Sequence, residues 1–398
     1  MVMHFSFISI PAAGHVNPTL AVVAELVRRG HRVSYFTAAN FAPQIEEAGA
    51  AFHASGENWM ALLPDQGPGL PARGQLMLPM MKRVFEDLRA SFPVLVEQLK
   101  EDPPDAVCFD AMTISGSMAA EKTGVPAIAL MPTYATNEHF SIRTLLPAAP
   151  RPEMVEAWTT AGRWLVEFAA EQGVRAPRMF DGPPAPFNIV FIPRAFQPMG
   201  ETFDERFQFV GPCVGGRESH AEWTHEGPKP LLFISLGTTP LNRQPDFFRM
   251  CMEAFGQGKW DVAMAVGEQT DPGSLGPVPA NFQVLAFFPQ LLVLRHADVF
   301  LTHAGMNSTM EALYFGVPMV AFPQQPEQEA TARRLTELGL GLQLAAADLT
   351  PSALLDAVSG VSGDPRIRRN VAGMSLAVRE AGGAEAAATA IETWLHVR

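Results

Sequence analysis

Cysteine is scarce, and nothing in its placement gives it a task. Only Cys108, Cys213 and Cys251 occur, and no two form a CxxC pair. Neither a disulfide framework nor a zinc site is expected, and such usage suits a reducing cytoplasm. Positive charge is also short: 29 Lys and Arg stand against 41 Asp and Glu, a net charge of −12. Nucleic acid is therefore not an expected partner, because phosphate binding needs a basic footprint. No run of about 18 uninterrupted apolar residues appears, so no membrane-spanning helix is expected. The opening MVMHFSFISIP is apolar but brief, lacks a basic n-region and a cleavage site, and reads as a first strand rather than a signal peptide. A Walker motif, GxGxxG, a GxSxG elbow and a paired Asp for a metal are all missing. Their absence turns the reading away from P-loop, dinucleotide-binding and serine-hydrolase chemistry.

What is present is globular. Hydrophobic residues make up 47% and charged residues 18% of 398, enough for two domains with separate cores. Phe5 to Ile10 reads as a buried strand, 11–18 as a turn, Thr19 to Arg29 as a helix stopped by Gly30, and Arg32 to Thr37 as strand two. This βαβ opening implies a parallel sheet. Residues 53–80 read as an irregular, Met-rich binding loop, and Lys82 to Lys100 as an amphipathic helix. A helix from about Ala384 to Val397 ends the chain.

The halves echo each other. Asp110, a helix, Gly124-Val125-Pro126 and a strand correspond to Thr302, a helix, Gly316-Val317-Pro318 and a strand. Two doubly wound α/β domains facing across a cleft are expected, joined by a Gly-, His- and charge-rich linker at 214–230. The first domain spans 1–213 and the second 231–380.

Polar residues collect after the strands, where open α/β sheets bind ligands. His15 follows the first strand, and an unperturbed imidazole exchanges its proton near neutrality, which suits a general base. Asp110 ends another strand. It either accepts from His15 or caps its own turn, and the sequence leaves both open. With no protein nucleophile in frame, such a pair would activate a hydroxyl of the substrate. The second half carries Thr302-His303-Ala304-Gly305-Met306-Asn307-Ser308-Thr309-Met310-Glu311. Asn307 or Ser308 reads as an N-cap, and the helix start with His303 and Ser308 as an anion site. Glu311 could accept two vicinal hydroxyls, such as those of a ribose. Glu327-Gln328 read as a loop pair suited to a polyhydroxylated ligand. His139, His220, His225 and His296 read as incidental, each of them solvated.

These stretches, with Pro289-Gln290, Ser235-Leu236-Gly237-Thr238 and Gly14-His15-Val16-Asn17-Pro18, resemble the family-1, inverting, nucleotide-sugar-dependent glycosyltransferases of GT-B fold. The likeness covers nearly the whole chain and is nearest to the bacterial macrolide and flavonoid glucosyltransferase branch. It implies two Rossmann-like domains, with residues 381–398 forming a C-terminal helix that returns to the N-terminal one. It implies His15 as base and Asp110 as its orienting partner. It places His303, Gly305, Asn307, Ser308 and Thr238 around the diphosphate and Glu311 on the ribose. Phe287 and Gln290 meet the base, and Glu327 and Gln328 the sugar. Acceptor contacts are expected from Met112, Thr113 and Tyr134. Met60, Met77, Met80 and Met81 suit an apolar pocket, while Met118 reads better as core.

Two positions depart from the family pattern. Phe287 stands where a tryptophan commonly stacks on uracil, and Glu327 where relatives often have Asp. The expected reaction moves a sugar, glucose by expectation, from a UDP- or dTDP-sugar to a hydroxyl of an apolar small molecule. No metal and no other cofactor is expected, and the chain is expected as a cytoplasmic monomer or homodimer. A sugar-nucleotide epimerase or phosphorylase, or a non-catalytic nucleotide-binding protein of the same fold, are the alternatives.

Overall fold

Short β-branched and aromatic runs separated by amphipathic helices leave parallel pairing as the way to bury both faces of a sheet. The protein, a computed structural model, is described over residues 1–55, 73–145, 152–177, 184–215, 222–237 and 244–397. It divides into two units, Met1–Gly216 with Gly382–Arg398, and Arg217–Ala381.

The first unit holds β1 (His4–Ile8), α1 (Ala13–Arg28), β2 (Arg32–Thr37), α2 (Ala42–Glu47), β3 (Ala51–Ala54), α3 (Arg73–Glu101), β4 (Ala106–Asp110), α4 (Ser115–Thr123), β5 (Ala127–Met131), α5 (Pro152–Gln172), β6 (Phe187–Val190) and β7 (Phe207–Phe209). Its sheet runs β3-β2-β1-β4-β5-β6-β7, with every pairing parallel. Strand order reverses between β1 and β4, where Ile8 pairs with Phe109.

The second unit holds β8 (Leu231–Ser235), α6 (Pro245–Phe255), β9 (Asp261–Ala265), β10 (Phe282–Leu285), α7 (Gln290–Leu294), β11 (Ala297–Thr302), α8 (Met306–Phe315), β12 (Met319–Ala321), α9 (Pro326–Glu337), β13 (Gly341–Gln343), α10 (Pro351–Gly363) and α11 (Pro365–Glu380). Its parallel order is β10-β9-β8-β11-β12-β13, and it reverses between β8 and β11, where Thr302 pairs with Ser235. A reversal opens a crevice at the carboxyl ends of the two central strands. His15 and Asp110 follow or end the two strands at the first reversal, and His303 follows β11 at the second.

The last helix, α12 (Gly383–His396), belongs to the first unit. Ala387, Ala388 and Ile391 join the core under β1 and α1, and Trp394 stacks on Phe187 at 5.2 Å. Burying Ile391 fully contributes about 2 kcal/mol. Glu392 accepts from Arg29 at 2.5 Å and from His31 at 2.7 Å, which fixes the register of the helix on α1.

Several expected boundaries move. α1 begins at Ala13, not Thr19, so residues 13–18 are helix rather than turn. Pro18 lacks only the N–H that would reach the Gly14 carbonyl. Val16 is fully buried, and Thr19 Oγ1 donates to the Val16 carbonyl at 2.7 Å while bonded to Tyr35, so packing outweighs the proline. α3 begins at Arg73, not Lys82, and carries Pro79 and Pro93 within it. Residues 51–54, partly inside the expected loop, are an edge strand paired with β2. The remainder of that loop, 56–72 with Met60, lies outside the described residues, as does most of the 214–221 stretch. His225 is not solvated. Its Nε2 lies 3.1 Å from Asp261 Oδ2, with the side chain 16% exposed.

The two GVP stops behave alike. Gly124 closes α4 at φ 73° and Gly316 closes α8 at φ 74°, both in the left-handed region that glycine enters without penalty.

Candidate active site

In the first unit, β1 and β4 lie side by side, so the residues that follow them converge. His15 sits in the first turn of α1 and Asp110 is the last residue of β4. His15 Nδ1 donates to Asp110 Oδ2 at 2.6 Å, and Asp110 is 1% exposed. The other carboxylate oxygen, Oδ1, accepts the Met112 backbone N–H at 2.7 Å. The two readings of Asp110 are therefore both true: one oxygen holds the imidazole and the other caps the turn. The bond at Nδ1 leaves Nε2 as the basic nitrogen.

Of the expected acceptor residues, Met112 and Thr113 are bonded to Asp110. Met112 is half-buried. Thr113 is buried and donates its hydroxyl to the Asp110 carbonyl at 2.8 Å, which fixes the turn carrying the carboxylate. Tyr134 is buried, with its ring stacked on Phe196 at 6.1 Å. Met77 and Met80 of α3 keep partial exposure, while Met118 is core.

In the second unit, His303 follows β11 and is 8% exposed. Its ring lies in a slot between two glycines. A Cβ on Gly237, at φ 78°, would fall 2.7 Å from the imidazole Cε1, and one on Gly305 would fall 2.3 Å from Nε2. Ala304, between His303 and Gly305, takes φ 60°, a strained value for a residue with a Cβ. The Thr302 hydroxyl accepts its N–H at 3.2 Å, and Ala304 packs on Ala321 and Ala332. Burial pushes the His303 imidazole down to about 4, partly offset by a hydrogen bond to the Ser235 backbone. It is neutral at physiological pH rather than a cation. Its Nδ1 is buried with no hydrogen-bond partner among the described residues.

α8 starts beside it. The cap is Gly305, not Asn307 or Ser308, and no side chain caps this end. Asn307 and Ser308 instead occupy the first turn, where backbone N–H groups have no acceptor within the helix. Helix start and buried imidazole thus lie together, and the dipole of a helix start favours negative charge. Glu311, one turn further, is 4% exposed. Gln290 opens α7 and donates to Glu311 Oε2 at 2.6 Å and to Ser308 Oγ at 3.2 Å. The sequence placed Gln290 and Glu311 on one ligand but gave no sign that they bond each other. Phe287, near Gln290, is 65% exposed, unlike the buried Phe288.

Glu327 and Gln328 lie in the first turn of α9, not on a loop. Glu327 is exposed, while Gln328 is buried with its Oε1 accepting the Gln324 backbone N–H at 2.8 Å. Pro326 at the first helical position starts the helix, which takes the pair out of the expected loop. Thr238 lies outside the described residues. Among the described residues, no group of three or more His, Cys, Asp or Glu is placed to hold a metal ion, and no helix is long and apolar enough to cross a membrane.

Comparison with known proteins decides the family. The chain is 42% identical over 398 residues to the NDP-glycosyltransferase YjiC of Bacillus licheniformis, covering 98% of each. It belongs to the family-1 glycosyltransferases. This glycosyltransferase is also 36% identical over 400 residues to the demethyllactenocin mycarosyltransferase of Streptomyces fradiae, covering 98% of the chain and 86% of that protein. Residues 249–391 match the family described as erythromycin biosynthesis protein CIII-like, C-terminal domain. The crystal structure of CalG4, the calicheamicin glycosyltransferase, superposes with a TM-score of 0.85 at 32% identity, covering 99% of the chain and 98% of that structure. The GT-B assignment of the two doubly wound units follows.

Proposed function

We propose that this glycosyltransferase moves a hexosyl group, glucose by preference, from uridine or thymidine diphosphate to a hydroxyl of an apolar natural product. Relatives named for macrolide substrates, including an oleandomycin glycosyltransferase at 32% identity, support that acceptor class. The half-buried methionines near Asp110 and on α3 support it physically, because thioethers adapt to apolar ligands of varied shape.

The observation that carries the reading is the 2.6 Å bond between His15 and Asp110. His15 Nε2 takes the acceptor's hydroxyl proton as that oxygen attacks the anomeric carbon. The new C–O bond forms as the bond to the diphosphate breaks, and the diphosphate leaves with the electron pair. The displacement is single, so α becomes β. Asp110 stabilises the imidazolium that results. In the second unit the α8 N-terminus and His303 are preorganised dipoles suited to the negative charge of a diphosphate. This arrangement supports transfer without a metal. Glu311 takes the ribose, Phe287 stacks on the base, and Glu327 with Gln328 meets the sugar. Cys108, Cys213 and Cys251 are buried thiols, which fits work in the cytoplasm.

The decisive experiment is His15→Ala, assayed with UDP-glucose and dTDP-glucose against phenolic and macrolide acceptors. Transfer is expected to fall by about 10²–10⁴, with UDP affinity by calorimetry nearly unchanged. A variant that keeps most of its rate removes His15 as the base.

A further inference from the structure

The segment that leads into β8 is a strap laid across the start of the second unit's sheet. Its side chains alternate: Trp223 and His225 are half-buried, while Thr224 and Glu226 are exposed. Trp223 Nε1 donates to Gln283 Oε1 at 3.2 Å, and His225 Nε2 meets Asp261 Oδ2 at 3.1 Å. These anchors stand on β10 and β9. Ala263 pairs with Gln283 and lies two positions beyond Asp261, on the same face of the sheet. Only a methyl fills that place, and a pocket of about 240 Å³ remains beneath the strap. Sites for drug-sized molecules measure about 300–1,000 Å³, so this one suits a single ring. Leu231, Asp261 and Phe282 line it and open their strands, which puts it at the amino rim of a parallel sheet. His303 and the start of α8 follow the carboxyl end of β11, at the opposite rim.

The charge of the pocket is one-sided. Asp261 and Glu226 line it and no Lys or Arg does, and the Asp261 side chain keeps 25% exposure beside His225. Oδ2 faces His225, which leaves Oδ1 to a ligand. The indole is held by three partners. Besides Gln283, the rings of Phe288 and His296 pack at 6.3 Å and 5.9 Å, inclined at 83° and 62°, so neither stacks on it. An indole fixed in advance beside a carboxylate attracts a flat cation. We propose that this pocket is a second ligand site, independent of the donor site, for a small planar aromatic cation. An amidinium- or amino-substituted ring lies on Trp223 and donates to Asp261 Oδ1.

The test titrates the full chain with three probes of one shape: cationic benzamidinium, neutral benzamide and anionic benzoate. Ligand-observed NMR follows each with and without saturating UDP. Benzamidinium is expected to saturate one site per chain, benzamide to bind at least fivefold more weakly and benzoate not to bind. UDP is expected to leave the benzamidinium affinity within twofold. Asp261→Asn is expected to weaken it about tenfold or more, the scale of a charge-assisted hydrogen bond. Trp223→Leu is expected to weaken it about fivefold, and Trp223→Phe less. Circular dichroism checks the fold of each variant, and if Asp261→Asn does not fold, the two Trp223 variants carry the comparison. No saturable benzamidinium binding, equal binding of benzoate, displacement by UDP, or folded variants that bind like the wild type overturn the site.

Discussion

Asp110→Asn tests the catalytic logic most sharply, because the structure dictates which way the new amide must turn. Both carboxylate oxygens already accept: Oδ2 from His15 at 2.6 Å and Oδ1 from the Met112 N–H at 2.7 Å. Asparagine has one oxygen and one NH₂ to meet two donors. Turning the NH₂ towards Met112 would strand a backbone N–H beside a residue that is 1% exposed, at a cost of about 1–3 kcal/mol. Turning it towards His15 costs less, since the imidazole can change tautomer. His15 then accepts at Nδ1 and carries its hydrogen on Nε2. That nitrogen has no lone pair left for the acceptor's proton. The rate is expected to fall by about 10²–10⁴, which is about 3–5 kcal/mol on the barrier. Folding is expected to change by only about 1 kcal/mol, the worth of one hydrogen bond. The assay pairs UDP release from UDP-glucose and a phenolic acceptor with a urea unfolding curve and UDP calorimetry. A folded variant that keeps more than about a tenth of kcat would show that proton removal does not pass through the imidazole.

Other outcomes follow from the second unit. Glu311→Ala is expected to weaken UDP binding about tenfold or more, the worth of charge-assisted bonds to a ribose; calorimetry showing unchanged affinity would remove Glu311 from the ribose. Gly305→Ala would put a methyl 2.3 Å from His303 Nε2. It is expected to displace the ring and weaken UDP binding at least as much, with intact UDP affinity as the contrary result. His303 adds a pH dependence. Burial holds its folded value at about 4, below the ordinary 6.5, so the unfolded chain binds the extra proton between those values. Its contribution to stability is complete above about 6.5 and is lost as pH falls towards 4. Between pH 7 and pH 5 the wild type is expected to lose about 2 kcal/mol more than His303→Gln, measured as urea midpoints; parallel losses would place the imidazole in water.

Strand and helix existence was legible where hydrophobic period and glycine stops agreed. The helix after Asp110 and the strand after Pro126, Ser115–Thr123 and Ala127–Met131, stand where the sequence put them, because Gly124 punctuates them. Reading failed where a local breaker was outweighed by burial. Pro18 and Pro79 lie inside helices that pack well, and β3 exists only because β2 offers it an edge. The pairing of His15 with Asp110 was only one of two open readings, since 95 residues separate them.

Composition, spacing and motif order by themselves determined the class of protein: two parallel α/β halves, a histidine after one strand and a helix start after another. Those follow from local chemistry, which a linear chain displays. Tertiary structure alone decided which atoms serve. It gave Asp110 two donors, so its roles coincide. It pressed His303 between Gly237 and Gly305 and took water away, so the imidazole is neutral. It joined Gln290 to Glu311 and His225 to Asp261. Hydrogen bonds between distant residues depend on strand order and on desolvation, and neither is written in local sequence.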